Sequence, residues 1–408
     1  MEKKMNYTYT KIACYAGYFV QAIINNLPPL LFVVFQEELG ISYSKISWLV
    51  LINFGTQLVT DLLAVKYVDK IGYRRSLVGA HIFAASGLIL LAVLPNVLAH
   101  SYLGLVIPTI IYALGSGLIE VLVSPVVENL PTDEKASEMS LLHSFYCWGQ
   151  VSVVVFTTVI IQAVGQGRWF LLPLLWSVVP AVNLYHFLKV PIIEPKPENT
   201  ASHVKELFSS RNFLIGAVLM VCAGASELTM SQWASLFAEK SLGISKVAGD
   251  VLGPCMFGVF MGIGRTLYGF FGKRLNVKTA LKICSALCVA SYAVTALGRI
   301  PAFALIGCGL CGFSVSLMWP GVFSLSAKNM GNASTAMFAL LAVFGDLGCA
   351  VGPFLAGQVM TLASKFPLLL EPLKFAQGDP LKLGLLMGGI FPAIMFVSVF
   401  FMGDTEKE

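Results

Sequence analysis

Seven ionisable side chains stand inside long apolar runs of this 408-residue sequence: Asp61, Glu120, Glu128, His143, Glu227, Arg265 and Asp346. A charge at the centre of a bilayer costs on the order of 3 kcal/mol on insertion scales, so each needs a chemical reason. Glu120, Ser124 and Glu128 are spaced i, i+4, i+8 and share one helical face. A carboxyl removed from water can exchange a proton at working pH. Glu120 is therefore a candidate for carrying one; its competing role is a hydrogen-bonded strut to a neighbouring helix. Glu128 is nearer a helix end and reads better as a solvated or ion-paired group. His143 has Tyr146 and Gln150 at i+3 and i+7. It either relays protons and bonds a hydroxyl, or is a hydrogen-bonded core histidine. Asp346, among glycines, either pairs with Arg265 or titrates.

Amides gather on the same kind of spacing. Gln21 and Asn25 are i, i+4, with Asn26 adjacent, and Asn53 and Gln57 repeat the pattern. Pro28-Pro29 should break or bend the first helix and free backbone carbonyls, a feature found where a span lines a cavity. Glu227 and Ser231 are again i, i+4, flanked by Gln232 and Trp233, and a later run adds Ser314, Ser316 and Trp319-Pro320. Acids and amides suit hydroxyl groups, and an indole suits the apolar face of a sugar ring. The plainer role for Trp233 is the aromatic belt at a membrane surface. These residue types predict a polar solute site made of Gln21, Asn25, Asn26, Asn53, Gln57, Glu120, Ser124, His143, Tyr146, Gln150, Glu227, Gln232, Trp233 and Trp319. Proton handling falls to Glu120, His143 and Asp346.

The elements that must position these groups are membrane helices. Apolar residues make up 57% of the chain and charged residues 12%, about half the charge of an ordinary soluble protein. This excludes a soluble enzyme, a disordered chain and a nucleic-acid binder. A bilayer admits only helices or closed barrels. The continuous apolar runs, Leu77 to Leu94 for example, lack the two-residue alternation of a barrel. Twelve spans are predicted near 10–35, 45–68, 76–95, 102–127, 137–163, 169–189, 212–238, 247–271, 279–298, 302–325, 332–362 and 382–402. No cleavable signal peptide is expected, so the first span stays. The polar, proline-rich stretch 191–211 divides them into a six-helix bundle, 1–190, a cytoplasmic linker, and a second six-helix bundle, 212–408. Basic residues follow the second span (Lys66, Lys70, Arg74, Arg75) and the eighth (Lys273, Arg274, Lys278). Matching basic loops suggest a parallel repeat. The bias of Lys and Arg places both termini in the cytoplasm. All nine cysteines fall in spans, where Cys308-Gly-Leu-Cys311 reads as small-residue helix packing rather than a metal or redox site.

Three stretches carry a family resemblance. Asp69-Lys-Ile-Gly-Tyr-Arg-Arg75 resembles the loop signature of the major facilitator superfamily, with Val65 where the upstream glycine usually stands. The stretch Gly312 to Gly331 resembles the tenth helix and following loop of the fucose–proton symporter family. Gly115 to Pro125 resembles its fourth helix, where an acid precedes Asn-Pro; here Ser124 takes the place of the Asn. Pro29 stands where that family has an acid in the first helix. The resemblance implies the major facilitator fold and an intramembrane acid, Glu120, beside the substrate. It also implies a gate made by Asp69, Arg74 and Arg75, to which Arg265 in the eighth span is added.

The expected activity is secondary active transport of a sugar or similar small polar solute by alternating access, with proton symport as the coupling. Carboxylates and carbonyls suit sodium as well. An exporter of amphipathic compounds is the alternative from the same superfamily, and the density of amides argues against it. No Walker A, His-Glu-x-x-His, Gly-x-Ser-x-Gly or potassium-filter pattern occurs. No cofactor, metal or nucleic-acid partner is expected. The chain is expected to work as a monomer in the inner (plasma) membrane.

Overall fold

The computed structural model describes residues 7–131, 135–193, 207–271, 276–330, 335–366 and 379–403. Each of the twelve expected spans is occupied by helix. They are α1 (Thr8–Leu30), α2 (Tyr43–Ile71), α3 (Tyr73–Val97), α4 (Ser101–Glu128), α5 (Lys135–Val164), α6 (Leu171–Lys189), α7 (Arg211–Lys240), α8 (Met256–Phe271), α9 (Val277–Leu297), α10 (Pro301–Val315), α11 (Thr335–Lys365) and α12 (Ile390–Phe401). Short helices extend four of them: Phe32–Glu37 after α1, Lys246–Asp250 before α8, Met318–Met330 after α10 and Pro380–Gly388 before α12. No strand occurs among the described residues. Eleven segments are long and apolar enough to cross a bilayer. The remaining one, α1, has 23 residues. That length suffices for a span, while Gln21, Asn25 and Asn26 make it less apolar.

The breaks fall where the chemistry puts them. Pro28-Pro29 ends α1 at Leu30, and Leu31 N–H turns back to the Pro28 carbonyl at 2.9 Å. The tenth span is interrupted at Ser316–Leu317, where Ser316 donates its hydroxyl to the Phe313 carbonyl at 2.6 Å. Pro254 lies in a π-helical turn, Val251–Cys255, that leads into α8. Asn276 caps α9 by accepting the Thr279 N–H at 3.1 Å. Between α2 and α3, Gly72 has φ +93°, a conformation open to glycine and costly for other residues. That requirement explains the glycine of the Asp69–Arg75 stretch.

The chain forms two compact units, Met1–Ile41 with Ile52–Pro197, and Ser42–Leu51 with Glu198–Glu408. In the first, α1 packs on α4, α5 and α6, and α3 packs on α4 and α6. In the second, α7 packs on α10, α11 and α12, and α9 packs on α10 and α12. Each of these five pairings recurs six helices later, the pattern a parallel repeat produces. The 191–211 stretch lies for the most part outside the described residues.

Backbones touch where glycines allow it. A side chain on Gly115 would meet the Ala80 carbonyl at 2.5 Å, so α3 and α4 lie in direct contact. Gly348 does the same for α11 against α7: a Cβ there would reach the Ala225 nitrogen at 2.9 Å. Small residues at helix contacts are how membrane helices gain packing without a hydrophobic driving force between them.

The repeat extends to the helix ends. Arg74, the second residue of α3, donates to the carbonyls of Phe187 and Val190 at 2.8 Å each. Val190 directly follows α6. Lys278, the second residue of α9, donates to the Met402 carbonyl at 2.7 Å, and Met402 directly follows α12. Carbonyls at a helix C-terminus have no partner within the helix and carry partial negative charge. A cation from the third helix of each half satisfies them in the sixth.

Candidate functional site

The polar residues of the first unit form one hydrogen-bonded array. It starts from α1, where Gln21 and Asn25 lie one turn apart, both buried. Asn25 Oδ1 accepts two amide N–H groups from α2, Asn53 Nδ2 at 3.1 Å and Gln57 Nε2 at 3.0 Å. Gln57 Oε1 in turn accepts the Ser116 hydroxyl of α4 at 2.9 Å. One turn further along α4, Glu120 Oε2 accepts from Gln21 Nε2. One turn further again, Ser124 shares a hydrogen bond of 2.9 Å with the Tyr18 hydroxyl. Ser116, Glu120 and Ser124 are the i, i+4, i+8 face of α4, and Tyr18, Gln21 and Asn25 are the facing residues of α1. Helices α1, α2 and α4 thus meet through side chains whose donors and acceptors are matched in sequence.

Two acceptors in this array have no hydrogen-bond partner, Gln21 Oε1 and Asn53 Oδ1. Their residues are 4% and 7% exposed. A buried unsatisfied oxygen costs about 1–3 kcal/mol, so each is a place for a donor from water or a ligand.

His143 is exposed at the start of the described side chains of α5 and meets the Tyr18 ring edge-on, with centroids 5.1 Å apart. It therefore borders the array through Tyr18. Tyr146 is half-buried on the same helix, and Gln150 is buried. Asn26 is also buried but turns its amide to the Ala22 carbonyl of its own helix at 3.0 Å. Ser116 and Tyr18 were not expected. Ser116 is one turn before Glu120 and Tyr18 three residues before Gln21, so the face rule reaches both.

The second unit carries a different chemistry. Glu227 of α7 is buried, and Arg265 of α8 reaches its Oε2 at 3.5 Å. Arg265, a candidate partner for Asp346, thus has Glu227 as a partner. Ser231, Gln232 and Asp346 are buried. Trp233 is wholly buried and spends its indole N–H on the Pro353 carbonyl at 3.0 Å, so its ring is part of the packing of α7 and α11. Trp319 is half-buried, lies 6.3 Å from the Phe323 ring, and fills the space left by Gly345.

Of the expected gate residues, Arg74 is the helix-end tie described above and Arg75 is exposed. The side chains of Asp69 and Glu128 lie outside the described residues. Two further polar clusters were not foreseen. His81 of α3 is wholly buried; its Nδ1 lies 2.7 Å from the Leu77 carbonyl, and its Nε2 lies 2.8 Å from the Asn183 amide of α6. In the second unit, Asp250 Oδ1 takes the Ser235 hydroxyl at 2.5 Å and the Lys246 ammonium at 3.0 Å. Both clusters hold helices together with paired groups. No set of three or more metal-ligating side chains forms among the described residues, and all nine cysteines are free thiols.

Comparison with known proteins agrees with this architecture. The family model described as Major Facilitator Superfamily matches residues 14–353. The chain belongs to the Major Facilitator Superfamily. A Helicobacter pylori protein is 24% identical over 388 residues, covering 90% of this chain and 92% of its own. The "Glucose/galactose transporter" of Brucella abortus biovar 1 is 23% identical over 376 residues, 87% of this chain and 88% of that one. Among solved structures, a D-xylose-proton symporter superposes with TM-score 0.77 at 15% identity, covering 98% of each chain. The E. coli fucose:proton symporter superposes with TM-score 0.65 at 17% identity, covering 98% of this chain and all of that one. These structural likenesses establish the fold. This major facilitator chain is a multi-pass membrane transporter and not an enzyme.

Proposed function

We propose that this chain carries a hexose-like sugar across the inner membrane by alternating access, with Glu120 exchanging the coupling proton. The observation behind the reading is the first-unit array: amides from α1 and α2, two open buried acceptors, and a carboxylate tied to one of the same amides. Hydroxyl groups are donors, and open acceptors call for donors. A neutral solute with several hydroxyls fits that set better than an amphipathic cation does. The Brucella relative's name points to the same class of solute. Alternating access is how transporters built from such repeats work. The chain works as a monomer in this reading, with both termini cytoplasmic.

The test is uptake of radiolabelled D-glucose and D-galactose into proteoliposomes. An inward proton gradient should drive accumulation. Glu120→Gln should abolish that accumulation while leaving counterflow of the same sugar. Gradient-driven uptake that survives Glu120→Gln removes the proton role of this carboxyl. Uptake that follows a sodium gradient at constant pH replaces the proton by sodium, and absence of counterflow with either hexose removes the solute class.

A further inference from the structure

Gln21 is the residue through which the carboxylate and the open acceptors communicate. Its amide nitrogen donates to Glu120 Oε2, and its amide oxygen is buried without a partner. The planar amide makes those two facts one: turning the nitrogen away from Glu120 turns the oxygen with it. Asn25, one turn along α1, has no such freedom, because its Oδ1 is held by two amides from α2. Gln57 is held at both ends, by Asn25 and by Ser116. Within the array, Gln21 is the amide with one end on a titratable group and the other end open.

We infer that Gln21 is a positioning residue that transmits the protonation state of Glu120 to the solute: the ionised carboxylate holds its N–H, and protonation of Glu120 releases the amide to bond a solute hydroxyl, so that proton and solute favour each other's binding. This rests on the proposed sugar and proton reading and deepens it. A hydrogen bond to an ionised acceptor is roughly twice as strong as one between neutral partners. Protonation of Glu120 weakens the hold on Gln21 and frees its amide to turn toward the solute. The other titratable or charged groups on the packed elements are each engaged. Tyr18 of α1 bonds Ser124. Asp61 of α2 is buried with its Oδ1 close to Gly117, and it has electrostatic or hydrogen-bonding contacts of its own. His81 of α3 sits between Leu77 and Asn183, and His143 of α5 borders Tyr18, with Tyr146 beside it. None of them bonds Gln21.

The experiment has two arms on the full-length purified protein. The first uses no sugar. Infrared difference spectra between pH 5 and pH 9, with Glu120→Gln subtracted, isolate the Glu120 carboxyl band. Gln21→Met keeps the bulk and removes the amide, and it should shift that band; an unshifted band overturns the link. The second arm measures D-glucose and D-galactose binding across the same pH range. The unsubstituted chain should bind more tightly toward the acid end of that range, and tighter binding toward the alkaline end overturns the inference. Gln21→Met should bind roughly tenfold more weakly, the factor for one hydrogen bond, with a flat pH profile. A purely structural glutamine would lose affinity and keep the profile, which overturns the inference. Gln21→Asn, an amide drawn back by one methylene, should flatten the profile with little change in bulk, so a folding defect in the first variant does not decide the matter. If the unsubstituted chain binds neither hexose, the reading of the solute fails and takes the solute end of this inference with it. The infrared arm then still decides the Glu120 end.

Discussion

Asn25→Ala is the sharpest perturbation of the first-unit array. One oxygen, Asn25 Oδ1, accepts from both Asn53 and Gln57, so one substitution removes two hydrogen bonds and strands two buried donors. Hydrogen bonds between membrane helices are worth about 0.6 kcal/mol on average and rarely above about 1.7 kcal/mol. Two such bonds give about 1–3 kcal/mol. Asn53→Ala removes one of the same bonds together with an oxygen that has no partner, so it should cost about 0.6–1.5 kcal/mol. The expected order is therefore Asn25→Ala above Asn53→Ala, with a gap near 1 kcal/mol. Reversible unfolding in mixed detergent micelles, read by tryptophan fluorescence, resolves that gap. A double substitution should fall short of the sum, because the Asn25–Asn53 bond would be counted twice. If Asn25→Ala costs no more than Asn53→Ala, or if the pair is additive, Asn25 is not the shared acceptor and the array is wired differently.

Two further outcomes concern the scaffold. Arg74→Ala should lower stability by about 2 kcal/mol, since it strips two charge-assisted bonds from the end of α6. Arg75→Ala, at an exposed neighbour, should stay within about 0.5 kcal/mol; equal losses in thermal denaturation would refute the assignment of the tie to Arg74. Gly348→Val drives a branched side chain into the α7 backbone at Val221 and Ala225, and should cost about 3 kcal/mol or more. Gly79→Ala, with open space around it, should be near neutral, and a monodisperse, fully stable Gly348→Val protein by size exclusion would contradict the close approach of α7 and α11.

Much of this was legible in the sequence for physical reasons. A bilayer forces backbone hydrogen bonds inward, so apolar runs must be helices, and all twelve are. The i, i+4 rule placed Gln21 with Asn25, Asn53 with Gln57, and Glu120 with Ser124, because helix geometry is local. What spacing could not supply is which helix faces which. Ser116 and Tyr18 fall on the expected faces, yet they gain their roles from Gln57 and Ser124, which are distant in the chain. Trp233 reads as a ring for a sugar or part of an aromatic belt; its N–H goes to the Pro353 carbonyl, over a hundred residues away. Arg74 reads as a gate residue from its motif; that it ties the end of α6 needs the fold. The pairing of Arg265 with Glu227 again depends on the packing of α7 and α8, which no local pattern encodes.

The cation that links the third helix to the sixth recurs in both halves at equivalent places, Arg74 in one and Lys278 in the other. The two halves differ in their buried polar groups: the first joins Glu120 to a run of amides, and the second pairs Glu227 with a guanidinium. A bond common to both fastens the rim of each half by the same electrostatics, whatever the chemistry of its interior.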